Sequence, residues 1–185
     1  MSDGHVLVLG GARSGKTGFA ERLAMRAGQS PAYLATAEAL DGEMSERVRT
    51  HQEQRKGRFA TIEEPLDLTQ AVLRASRDHD VILVDCLTLW ITNMLMANRD
   101  VAGAVDELVL TLTEIEHARV ILVSNEVGLG IVPDNALARS FRDLAGSAHQ
   151  RLAEICDDVY FVVAGLPMVL KGEQPVVAEH RIHEA

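Results

Sequence analysis

Lys16 and Thr17 close the octapeptide Gly10-Gly11-Ala12-Arg13-Ser14-Gly15-Lys16-Thr17, a match to G-x-x-x-x-G-K-[ST], and the apolar run Val6-Leu7-Val8-Leu9 leads directly into it. Glycines at 10, 11 and 15 let the backbone curl with its amides pointing inward, and a helix starting near Gly15 adds the positive end of its dipole. Polyphosphate is the occupant such a loop suits. Lys16 supplies a point charge to the outer phosphates, and Thr17 supplies a hydroxyl to a magnesium ion shared with them. The apolar helix positions Phe19, Ala20, Leu23 and Ala24 that follow make a chance glycine-rich turn a poor account of the match.

A second chemical residue stands at the end of Val81-Ile82-Leu83-Val84-Asp85, four apolar residues closed by a carboxylate. A strand ending in Asp before a turn is common by itself, but beside a phosphate loop Asp85 becomes the candidate for the magnesium side of the site, together with Thr17. A third constellation lies between Glu43 and Lys56, which reads as a polar helix with Arg47, His51 and Arg55 every four residues along one face. Two guanidiniums flanking an imidazole suit a phosphate held near a nitrogen nucleophile. A solvated charged face, with Glu46 and Glu53 pairing to the arginines, accounts for the same spacing.

These residues need elements to position them. Strand signals near 6–9, 32–35, 81–84, 120–123 and 159–163 alternate with helical patterns over short connections, which predicts an α/β fold: a single P-loop NTPase domain with a mostly parallel central sheet flanked by helices, RecA-like. Residues 1–171 are expected to form the domain and 172–185 a loosely held tail. His180 and His183 in that tail read as solvated surface. The segment Ser124 to Gly130 follows a strand and ends in a glycine-rich turn where α/β ligands bind, which suits an acceptor-side or switch loop. Asn125 and Glu126 there orient an acceptor or metal water, or serve as turn and cap; both readings stand. Asn135 to Ala153 reads as a helix with Arg139 and Arg142 outward.

With 185 residues, 47% of them hydrophobic, the chain can bury a full core. A formal charge of -9 argues against nucleic-acid binding. The most apolar helical stretch, Cys86 to Ala97, is too short for a bilayer, and no leader pattern opens the sequence, so a cytoplasmic location is expected. Cys86 and Cys156 sit in apolar contexts and are assigned to packing.

The chain resembles the bifunctional adenosylcobinamide kinase / adenosylcobinamide-phosphate guanylyltransferase family of cobalamin biosynthesis. The resemblance is carried by GGARSGKT at Gly10 to Thr17, YLATA at Tyr33 to Ala37, DGEMSERVRTHQEQR at Asp41 to Arg55, VDCLTLWITNML at Val84 to Leu95, and the long block from Ser124 to Ala153. It implies two reactions: phosphoryl transfer from ATP or GTP to the aminopropanol hydroxyl of adenosylcobinamide, then transfer of GMP from GTP to that phosphate through a GMP-histidine intermediate. His51 matches the histidine, which gives it the nucleophile's role at the α-phosphate; Lys16 joins it as catalytic through the chemistry of the phosphate loop, and Arg47 and Arg55 are charge-stabiliser candidates from their spacing. Where the family often has two adjacent histidines, this chain has Thr50 before His51.

By the same resemblance, nucleotide contacts fall to Gly10, Gly11, Ala12, Arg13, Ser14, Gly15, Lys16 and Thr17, to Ala35, Thr36 and Ala37, to Gln52, Glu53, Gln54 and Arg55, and to Glu63 and Asp85. It further implies Mg2+, GTP and ATP as nucleotide substrates, adenosylcobinamide and its phosphate as acceptors, and a homotrimer. Two rivals are a monofunctional small-molecule kinase, which predicts no covalent nucleotide, and a nucleotide switch, which the missing N-K-x-D motif disfavours.

Overall fold

Val6–Gly10 is buried at every position and forms β1 in the middle of a seven-stranded sheet. The computed structural model describes residues 4–37 and 57–175. After β1 come α1 (Lys16–Ala27), β2 (Pro31–Ala35), β3 (Ala60–Glu63), α2 (Leu68–Ala75), β4 (Val81–Asp85), α3 (Leu87–Met96), α4 (Val101–Glu114), β5 (Arg119–Asn125), α5 (Ala136–Ile155), β6 (Asp158–Val163) and β7 (Leu166–Lys171). The strand order is β3-β2-β4-β5-β1-β6-β7, and every pairing is parallel except β6 with β7. The predicted α/β architecture is what the chain adopts.

The central strands are apolar runs because both of their faces are covered. Val6, Val8, Leu83, Ile121 and Val123 pack under Phe19, Ala20 and Ala24 of α1 on one face. Leu7, Leu34, Ile82, Val84, Val120 and Leu122 meet α2 to α5 on the other. Trp90 of α3 is fully buried there, its indole N–H donating to Leu66 O at 2.8 Å.

Two strands have no counterpart in the sequence expectations. β3 is a short edge strand, exposed along most of its length, so its residues lack the alternation that marks a half-buried strand. β7 carries Pro167, which an edge strand tolerates but which obscures a strand pattern in the sequence. The signal for it was the Ala164-Gly165 pair between two apolar runs. Both residues have positive φ, 51° and 80°, in a two-residue turn joining Val163 to its register partner Leu166.

The register brings the carboxyl ends of the strands into line. Ala35 lies opposite both Glu63 and Asp85, and Gly10 lies opposite both Asn125 and Val162. The segments singled out for their chemistry therefore converge on one edge of the sheet.

Candidate active site

At Gly10 the chain leaves β1. A Cβ on Gly10 would lie 2.6 Å from both Ser14 Oγ and Val162 O, so glycine is what allows the loop to fold back against β6. Arg13 (φ 54°) and Gly15 (φ 91°) are both left-handed, and Ser14 N donates to Gly11 O at 3.3 Å inside the turn. Gly15 is the N-cap of α1, with Phe19 N bonding to Gly15 O at 3.0 Å, so the first amides of α1 face the loop with the helix dipole behind them. Lys16 is buried, and its Nζ reaches back over the loop to donate to Gly11 O at 3.0 Å.

The turn between β6 and β7 supports this loop from outside. Gly165 N donates to Ser14 O at 2.8 Å, and a Cβ on Gly15 would come within 3.1 Å of Gly165 Cα. Sequence reading had no reason to connect residue 165 with the phosphate loop.

Asp85 sits opposite the start of α1. Its Oδ2 accepts from Thr17 Oγ1 at 3.0 Å and from the Tyr33 hydroxyl at 2.7 Å. Thr17 and Asp85, the two residues expected on the metal side, are thus in direct contact. A hydroxyl and a carboxylate side by side at the mouth of a phosphate loop fit magnesium that arrives with a nucleotide, because Mg2+ takes few protein oxygens and completes its shell with phosphate and water. Among the described residues no group of three or more His, Cys, Asp or Glu could hold a metal by themselves.

Thr36 is fully buried and braces the backbone next to that carboxylate. Its Oγ1 donates to Cys86 O at 2.8 Å and accepts from Cys86 N at 2.9 Å, while Thr36 N donates to Asp85 O at 3.1 Å. Asn93 Nδ2 in turn donates to Thr36 O at 2.8 Å. The side chain of Thr36 is therefore spent on positioning Asp85 and Cys86, while Ala35 and Ala37 flank it half-buried. Burial, with Asp85 nearby, pushes the Cys86 thiol above its usual range, and burial pushes Cys156 up to about 12. Both are inert packing residues, as expected.

The end of β5 closes the other side. Glu126 N donates to Gly10 O at 3.0 Å, tying the loop after β5 to the first glycine of the phosphate loop. Asn125 Nδ2 donates to Thr88 Oγ1 at 3.0 Å. The Glu126 carboxylate accepts from Gly128 N at 2.6 Å and Leu129 N at 3.2 Å, the turn-forming role that was one of its two readings. Below them Ser124 Oγ bonds His149 Nε2 at 2.7 Å, and burial lowers the His149 pKa despite the opposing charge of Glu126. Arg139, expected outward, instead turns back to donate to Pro133 O at 2.8 Å and Asp134 O at 2.7 Å. These carbonyls precede α5 and have no helical donor of their own, which is why the guanidinium folds onto them.

The structure thus gathers the Gly10–Thr17 loop, Ala35, Thr36, Ala37, Glu63 and Asp85 along one sheet edge, with Glu63 at the outer strand. Arg47, His51, Gln52, Glu53, Gln54 and Arg55 lie outside the described residues, as do His180 and His183. Tyr33 and Thr88 are additions that the sequence did not single out for a role; a tyrosine on an apolar strand reads as core, and only the pairing of β2 with β4 sets its hydroxyl on Asp85.

Comparison with known proteins agrees with this geometry. The crystal structure of the flagellar accessory protein FlaH from Methanocaldococcus jannaschii superposes with a TM-score of 0.58 at 17% identity, covering 92% of this chain and 79% of that one, which supports the RecA-like P-loop fold. The bifunctional adenosylcobalamin biosynthesis protein CobP of Pseudomonas aeruginosa is 48% identical over 169 residues, covering 90% of this chain and 97% of that protein. The CobU protein of the same description from Salmonella typhimurium is 39% identical over 182 residues, covering 90% and 99%. The family model for cobinamide kinase / cobinamide phosphate guanyltransferase matches residues 6–170, from the start of β1 to the penultimate residue of β7, and the chain belongs to that family.

Proposed function

We propose that this chain phosphorylates adenosylcobinamide and then converts the phosphate to adenosylcobinamide-GDP, using one phosphate loop for both reactions. The observation that carries the reading is the contact of Thr17 with Asp85 at 3.0 Å beside Lys16, in a member of the cobinamide kinase / guanyltransferase family.

In the first reaction the acceptor hydroxyl oxygen bonds to the γ-phosphorus of ATP or GTP, the bond to the β-phosphate oxygen breaks, and the hydroxyl proton is released. The amides of residues 10–17 and Lys16 hold the phosphate oxygens, so the protein's contribution is alignment and charge neutralisation. Magnesium would be held by Thr17 and Asp85 with the nucleotide and would supply further charge compensation. In the second reaction a His51 ring nitrogen bonds to the α-phosphorus of GTP and pyrophosphate departs. An oxygen of adenosylcobinamide phosphate then bonds to that phosphorus, and the bond to His51 breaks. Neutral imidazole is required for the attack.

Residues 1–171 form the working unit in this reading and 172–185 the tail. Nucleotide contacts are assigned as the sequence places them, including Gln52, Glu53, Gln54 and Arg55. Leu166, Met168 and Leu170 alternate on the exposed face of edge strand β7, a surface suited to contact between copies in a homotrimer. No described helix is long and apolar enough to cross a membrane. The reading takes the enzyme as cytoplasmic and its partners as small molecules, and the net charge of -9 opposes nucleic acid.

Incubation with magnesium and GTP labelled at the α-phosphate tests the covalent step. Label that survives alkali, leaves in acid and is absent from His51→Ala establishes the nucleophile. Wild-type protein that phosphorylates cobinamide but takes up no label is a kinase alone.

A further inference from the structure

The loop between β5 and α5 has two opposed characters. Its backbone is pinned at both ends: to Gly10 through Glu126 N, to the Glu126 carboxylate through Gly128 and Leu129, to Arg139 through Pro133 and Asp134, and to Asn135, whose Oδ1 accepts from Leu137 N and Ala138 N. Val127 packs against the core, but the aliphatic side chains beyond it do not. Leu129, Ile131 and Val132 are 81%, 96% and 58% exposed. The same segment runs into α5, where Leu137 and Phe141 face Leu95 and Met96 of α3 across a groove of about 310 Å³, with Thr92 and Asn135 among its lining. A pinned loop that holds large aliphatics in solvent beside an apolar groove is built to meet something apolar.

We infer that this surface seats the corrin macrocycle of the acceptor and directs its hydroxyl-bearing arm to the phosphate loop. The inference rests on the function proposed above. Continuity with the site is the first argument: Glu126 N is bonded to Gly10 O, and Asn125 is the register partner of Gly10, so the surface begins where the phosphoryl group must be delivered. Reach is the second. The reactive hydroxyl of cobinamide ends a side arm, so the ring has to lie beside the loop rather than in it. Helix α3 starts two residues beyond Asp85 and runs about 14 Å from Leu87 to Met96, placing the groove off to one side of the carboxylate. Charge is the third. A cobalt corrin is a cation with broad apolar faces, and the loop sets the carboxylates of Glu126 and Asp134 against the single guanidinium of Arg139.

Leu129→Asn and Ile131→Asp change exposed side chains and leave the loop's backbone anchors in place. Each is compared with wild type and with Leu110→Ser, an exposed leucine of α4 outside the surface, by equilibrium dialysis of cobinamide in the presence of a nonhydrolysable GTP analogue, read by corrin absorbance. Cobinamide retention is expected to weaken at least tenfold in both variants, with nucleotide affinity within twofold of wild type and Leu110→Ser unaffected. Unchanged retention overturns the assignment, and so does a change in assembly mass by light scattering, which makes this face a contact between copies. If wild type retains cobinamide but does not phosphorylate it, the dialysis comparison still decides the surface while the proposed activity falls. If wild type retains none, the assignment falls with it.

Discussion

Thr17 Oγ1 and Asp85 Oδ2 lie 3.0 Å apart across 68 residues of sequence, joining the start of α1 to the end of β4. The same carboxylate oxygen takes the Tyr33 hydroxyl at 2.7 Å, so one atom fixes the relative position of three elements at the mouth of the phosphate loop.

Asp85→Asn removes the charge from this junction while keeping its size. Magnesium titrations of both transfer activities should shift to about 10–100-fold higher metal concentration, the usual cost of disturbing residues that orient a metal. An unaltered magnesium requirement would exclude Asp85 from the metal side of the site.

Thr36→Val deletes a hydroxyl that satisfies both polar groups of Cys86. Each buried group left without a partner costs about 1–3 kcal/mol, so urea denaturation should show a clear loss of stability, and activity should fall through misplacement of Asp85. Thr36→Ser keeps the hydroxyl and should restore most of both. A wild-type-like Thr36→Val beside an impaired Thr36→Ser would show that the methyl group matters and the hydrogen bonds do not.

Gly15 and Gly165 both have positive φ, 91° and 80°, but only Gly15 is crowded. Gly165→Ala should cost about 1–2 kcal/mol of backbone strain and leave nucleotide affinity near wild type. Gly15→Ala adds a methyl 3.1 Å from Gly165 Cα and deforms the loop itself, so it should abolish tight GTP binding. Calorimetric titration of GTP into the two variants separates these outcomes, and similar affinities would contradict the crowding argument.

His5 and His149 predict how stability depends on pH. His5 Nδ1 accepts from Val120 N at 3.1 Å, which makes Nε2 the donor to Leu112 O at 2.7 Å; the neutral ring uses both nitrogens and a second proton has no place. Burial lowers the pKa of both histidines. A lowered histidine pKa means that the unfolded chain takes up protons before the folded one does. Their stabilising contribution is therefore complete above the ordinary value of about 6.5 and declines as pH falls from there through the lowered folded values. The thermal midpoint should drop on going from pH 7.5 to 5, and a flat profile across that range would show that neither ring resists protonation.

Much of the site was legible in the chain because its chemistry is local. The curl of Gly10 to Thr17 depends on glycines at fixed offsets, and burial on both faces forces β1, β4 and β5 to be uninterrupted apolar runs ending at the same edge. The sequence by itself therefore determined the fold class, the phosphate loop and the choice of Asp85, and its long motifs pointed to the family. Tertiary structure decided what depends on contacts between distant segments: that Tyr33 bonds Asp85, that Thr36 braces Cys86, and that Gly165 supports Ser14. Each of these follows from strand register or from a backbone group left without a partner by its own segment, and neither quantity is written in the spacing of residues along one stretch of chain.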